Sequence, residues 1–229
     1  MKTEKPAILA GFEKNQAGDF AHDGGGECIA GLDLLEGGGK PAGSMNFERV
    51  IRRVVGGLEA EGIHYALIGG FAMSLRGLQR STMDLDFILM MQDLAKADRV
   101  LRECGYERVF HSENVSHYVS PDRDWGRIDV LHAFRGPTLG MLKRAEILPV
   151  LDDMGIKVVH IEDIAGLKVQ ALVNNPDRAT KDWADIRMML EAAGEQKREI
   201  DWELLGDYLS LFQLESKLTE LKEWYGKVE

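Results

Sequence analysis

Cysteine and long apolar runs are scarce in this chain of 229 residues, and its 28 Lys and Arg are outnumbered by 38 Asp and Glu. The two cysteines, Cys28 and Cys104, lack zinc-ligand spacing and do not suggest a disulfide framework. Reduced thiols in a cytoplasmic protein are the expectation. The net charge is −10, so no basic domain grips nucleic acid unaided. An acidic protein still acts on nucleic acid where a local patch allows it. No apolar run reaches the length of a membrane-spanning helix, so no membrane partner is expected. The N-terminus lacks an apolar secretory core. Internal repeats are absent as well. The length suits one sizeable domain, or one domain with a helical appendage.

Glycine is what the first stretch has in excess. Residues 1–44 contain GDFAHDGGGE and EGGGKPAGS. Ordering so much glycine costs too much backbone entropy for folding alone. The piece GGGKPAGS lacks the G-x4-G-K-[ST] spacing of a P-loop. The segment reads as a flexible extension, and Met45 as a candidate natural start.

Order is expected from Asn46, a residue suited to capping a helix. Val50, Ile51, Val54, Val55 and Leu58 recur at helical spacing up to Gly62. Next comes YALIGGFAMSLRGLQRSTMDLDFIL, from Tyr65 to Leu89. An apolar strand runs into Gly69-Gly70, a short helix follows, and a second strand carries Asp84 and Asp86. Acids two apart on a strand point to one face, with Cα atoms about 6–7 Å apart. Leu85 and Phe87 then face a core. Two carboxylates this close repel each other unless a cation lies between them. Hard oxygen ligands on a rigid strand suit Mg²⁺, which shares its remaining positions with water and phosphate. Gly69 and Gly70 allow close backbone approach, and the helix start attracts anions. A phosphate cradle beside a two-aspartate metal site suits a nucleoside triphosphate.

Further strands are expected at 106–110, 116–120, 127–131, 147–151 and 156–159. Helices are expected at 93–104, 138–145, 161–173, 180–192, 201–212 and 214–224. Asp129 is again an acid on an apolar strand. If its strand lies beside the first acidic strand, it faces the same site. The alternative is a structural pairing with Arg127 or Arg80. Asp122 and Asp124 repeat the D-x-D spacing within PDRDWG, a turn-like loop, and read as solvated charges. The order of elements gives an α+β fold. A small mixed β-sheet core flanked by helices (45–160) precedes a helical C-terminal half (161–229) that completes the site.

The residues GG-x-A-x4-G-x2-R-x-T-x-D-x-D, from Gly69 to Asp86, resemble the signature of the polymerase-β-like nucleotidyltransferase superfamily. They look most like its AbiEii-type branch of nucleotidyltransferase toxins. Glu162-Asp163, Lys168, Arg178, Lys181, Asp182 and Asp185 resemble that branch's E-D-h-x3-K-x2-A … R-x2-K-D-x2-D segment. Read alone, Lys168 is an ordinary solvated lysine, and Glu162 and Asp163 are acids favoured at a helix start. The resemblance implies more. Lys168 becomes a phosphate contact and Asp185 an orienting or proton-handling acid, with Lys181 and Asp182 as further candidates. Asp84, Asp86 and Asp129 would hold two Mg²⁺ ions. Gly69, Gly70 and Arg80 would meet the triphosphate, though Arg80 equally suits holding the loop. Thr82 would orient Asp84 or that loop. The implied activity is transfer of a nucleoside monophosphate to a hydroxyl, with a tRNA 3′ end as acceptor and a separate antitoxin as partner. A small-molecule acceptor, as in antibiotic nucleotidyltransferases, stays open. So does a non-catalytic nucleotide-binding module of the same fold.

Overall fold

The computed structural model describes residues 47–78, 82, 84–122 and 125–226. Expectations for 1–46 and for Arg80 lie outside the described residues. The described strands are β1 (Tyr65–Ile68), β2 (Asp84–Met90), β3 (Glu107–His111), β4 (Val115–Val119), β5 (Arg127–Ala133), β6 (Glu146–Leu151) and β7 (Met154–Val158). The described helices are α1 (Phe47–Ala60), α2 (Gly69–Leu75), α3 (Leu94–Glu103), α4 (Gly136–Arg144), α5 (Ile161–Asn174), α6 (Ala179–Glu195), α7 (Trp202–Leu211) and α8 (Lys217–Gly226).

The strands form one mixed sheet in the order β3-β4-β5-β2-β1-β7-β6. All four residues of β1 are buried, as its unbroken apolar run requires of a central strand. β2 runs antiparallel to β1 and parallel to β5. β7 lies parallel to β1 on its other side. The small strands expected at 147–151 and 156–159 therefore extend the main sheet. The apolar stripe of α1 is buried, and α1 and α3 pack together. Among the described residues, no helix is long and apolar enough to cross a membrane.

Arg76, almost fully buried just after α2, binds α2 to the β6–β7 side of the sheet. Its guanidinium donates to the carbonyls of Val158 and Val159 and to Glu146 Oε2 at 2.8 Å.

Candidate active site

Alternation along β2 sets the site. Leu85 and Phe87 are buried on one face, while Asp84 and Asp86 share the other and keep some exposure. β5 lies next to β2 in parallel register, with Asp129 opposite Asp86 and Arg127 opposite Asp84. The in-register neighbour projects to the same face, so Asp129 joins Asp84 and Asp86. Burial first, then the charges of Asp129 and Asp84, push the Asp86 carboxyl up to about 7. The Gly70 N–H and the Lys168 charge oppose that rise.

The glycine pair explains itself here. Gly69 sits at φ +68°, a conformation that L side chains rarely adopt. A Cβ at Gly69 would collide with the Asp86 carboxylate. Gly70 then donates its backbone N–H to Asp86. The pair thus fits over the central aspartate. Ser74, one turn along α2, turns its hydroxyl back to the Gly70 carbonyl at 3.3 Å. Thr82 braces the backbone ahead of the acids. Its Oγ1 accepts from the Asp84 N–H and donates to the Asp84 carbonyl, both at 3.3 Å.

Asp129 has a partner that sequence reasoning missed. His117, opposite it in the antiparallel β4–β5 register, places Nδ1 2.7 Å from Asp129 Oδ1. Arg127 is a looser neighbour, at 3.8 Å. The V-S-H-Y-V alternation held a signal, because it puts His117 on one face of its strand. The register that pairs the strands was needed to use it. His132, three residues after Asp129 on β5, faces the other way. It is buried, with Nε2 2.9 Å from Ser116 Oγ and Nδ1 2.8 Å from the Glu113 carbonyl.

The helices supply the cation. Lys168, on α5, reaches Asp185 Oδ2 at 2.5 Å and Asp182 Oδ1 at 3.1 Å, both on α6. Arg178 joins through Asp182 Oδ2 at 3.0 Å. Burial works against the Asp182 charge, but Arg178 and Lys168 outweigh it and hold its carboxyl below the ordinary carboxylate range. Asp182 is thus the fully buried centre of this network. Lys181, one residue earlier on α6, is exposed to solvent.

Glu162 and Asp163 lie in the first turn of α5, as expected, and are buried there. Glu162 Oε1 accepts the Asp201 N–H ahead of α7 at 2.7 Å. Asp163 Oδ1 accepts from the Tyr208 hydroxyl at 2.7 Å and from Arg144 Nη2 at 2.6 Å. Gly166 leaves room for the Tyr208 ring, which a Cβ there would strike.

The donor set suits a hard divalent cation. Three carboxylates share one face, and burial, then the charges of its neighbours, drives the central one towards its protonated form. Among the described residues, no three His, Cys, Asp or Glu side chains form a ready-made metal cluster. Asp129 has one oxygen on His117. Asp84, Asp86 and Asp129 are the residues that could hold the ion.

No protein-family model matches the chain, and no curated protein does. Solved structures do. The antibiotic-resistance factor ANT(2'')-Ia, in its solution structure, superposes with a TM-score of 0.54 at 13% identity, over 80% of this chain and 99% of that one. The crystal structure of ANT(2'')-Ia with adenylyl-2''-tobramycin also gives 0.54 at 13% identity, over 73% and 99%. A lincosamide antibiotic adenylyltransferase with lincomycin bound gives 0.46 at 17% identity, over 64% and 97%. At such identities the likeness is one of architecture: this chain has a nucleotidyltransferase-like fold.

Proposed function

We propose that the protein is a metal-dependent nucleotidyltransferase. It moves a nucleoside monophosphate from a nucleoside triphosphate to an acceptor hydroxyl and releases pyrophosphate. The observation that carries this reading is the register of Asp86 against Asp129, which gathers three carboxylates at the Gly69-Gly70 turn with the Lys168 charge nearby. Asp84, Asp86 and Asp129 would hold two Mg²⁺ ions, which when bound acidify the hydroxyl and neutralise the leaving pyrophosphate. The hydroxyl oxygen forms a bond to the α-phosphorus as the bond to the pyrophosphate oxygen breaks. The work of the chain is positioning and electrostatics. Gly69 and Gly70 let the backbone approach the triphosphate, and Thr82 keeps Asp84 in place. Asp182 and Asp185 hold the Lys168 ammonium beside Asp86, where phosphate oxygens compete for it. Lys181, exposed on α6, would meet the triphosphate from outside, and Arg80 is a further candidate contact.

The resemblance to AbiEii-type toxins supports a tRNA 3′ end as acceptor, restrained by an antitoxin. A second reading, a cationic small-molecule acceptor, is favoured by the net charge of −10 and by the shared fold with ANT(2'')-Ia. The test supplies α-phosphate-labelled nucleoside triphosphates with Mg²⁺ and either total tRNA or tobramycin. Label should pass to one acceptor in the intact protein and to neither in Asp84→Asn or Asp86→Asn. Triphosphate binding without transfer to any acceptor would favour a non-catalytic module. Free nucleotide as product would favour a phosphohydrolase.

A further inference from the structure

The two ends of the site lie on opposite sides of β2. The Gly69-Gly70 turn belongs to the β1 side. Asp129, His117 and the edge strand β3 succeed one another on the other side. A triphosphate held at the glycines leaves the β5–β4–β3 side for the acceptor. A β-bulge stands there. Arg108 pairs with Tyr118 and Phe110 pairs with His117, so Val109 is an extra residue in β3. Without it, Phe110 would share the face of Arg108, which turns back to Asp98 on α3. The bulge puts Phe110 on the face of His117 and Asp129. Bulges commonly re-aim side chains beside active sites.

The result is an aromatic shelf. The Phe110 and His117 rings stack with centroids 5.1 Å apart and planes 29° apart. Phe110 is 42% exposed. With neighbouring strands about 4.8 Å apart, the shelf begins about 5 Å from β5 and ends about 10 Å from it.

We propose that Phe110 and His117 form the acceptor subsite and take a ring-bearing hydroxyl compound by stacking on its flat face. The inference rests on the nucleotidyl-transfer reading and adds the ring to it. A nucleobase and a sugar ring both offer such a face, so the test has an arm for each. Adenosine and tobramycin are titrated separately by saturation-transfer NMR into the full chain and into Phe110→Ala and Phe110→Trp. Magnesium tripolyphosphate is present throughout, and its own thermal-shift stabilisation is followed alongside. One ring probe should bind about tenfold or more weakly to Phe110→Ala. Phe110→Trp should restore it, and tripolyphosphate should stabilise all three proteins alike. The probe that responds identifies the ring. Equal binding of both probes by Phe110→Ala and the intact protein, or binding of neither by the intact protein, overturns the proposal. Phe110-dependent ring binding without stabilisation by tripolyphosphate would strike the transfer reading and leave the shelf standing.

Discussion

Asp86 makes the stability of the metal-free protein depend on pH in an unusual direction. Its carboxyl is raised from an ordinary 3.8 to about 7 in the folded chain. Below the lower value the proton is held in both states, and this term of stability is fully present. Between the two, the unfolded chain releases a proton that the folded chain keeps. Stability is therefore lost as pH rises, until the loss levels off above about pH 7. The rise from 3.8 to about 7 corresponds to about 4 kcal/mol, at about 1.4 kcal/mol per tenfold. For a chain of this size that is a fall in Tm on the order of 10 °C. Asp86→Asn removes the titrating charge and keeps an oxygen for the Gly70 N–H. Thermal unfolding with a chelator present should show the intact protein losing stability from about pH 4 to about pH 7 relative to Asp86→Asn. The variant should be the more stable protein at the alkaline end. Millimolar Mg²⁺ should restore the intact protein there and leave the variant unmoved. Parallel pH profiles for the two proteins would refute the reasoning, and so would equal stabilisation by Mg²⁺.

Gly69→Ala combines a positive φ with a collision against Asp86, and should cost about 1–3 kcal/mol in denaturant unfolding while abolishing label transfer. Lys168→Met leaves two buried carboxylates on α6 short of a cation, with an expected loss of about 3 kcal/mol or more and no transfer. Near wild-type stability by urea titration would mean that this network is not holding α5 to α6. Tyr208→Phe removes one donor to Asp163 while Arg144 remains. Its expected cost is about 1–2 kcal/mol by thermal unfolding, with the KM for triphosphate unchanged.

The acids on strands were legible because their setting is local. Period-two alternation alone places Asp84 and Asp86 together, and helical period places Asp182 and Asp185 on one face. The register of Asp86 with Asp129 is not local, since it depends on β5 adding parallel to β2 after more than thirty intervening residues. His117 stayed hidden for the same reason, because its meaning comes from the strand beside it. Glu162 and Asp163 look like acids favoured at a helix start until α4 and α7 bring Arg144, Tyr208 and the Asp201 amide to them. The bulge at Val109 leaves no mark in E-R-V-F-H, a pattern that reads as a plain strand. Lys181 and Asp182 are adjacent in sequence, yet the helix turns one outward and buries the other.

The Lys168 network also bears on the order in which the chain is made. A ribosome that has released the polypeptide through β7 has supplied every described strand and all three carboxylates, but neither Lys168 nor its α6 partners. The half-made protein therefore carries an acid cluster whose balancing ammonium has not yet been synthesised. Lys168 meets Asp182 and Asp185 only when α5 and α6 have emerged and paired. By then Arg76 has tied α2 to the sheet and Arg144 has met Asp163, while the Tyr208 hydroxyl on α7 is still to come. A messenger truncated before α5 would yield a product without the lysine, whatever the condition of its aspartates.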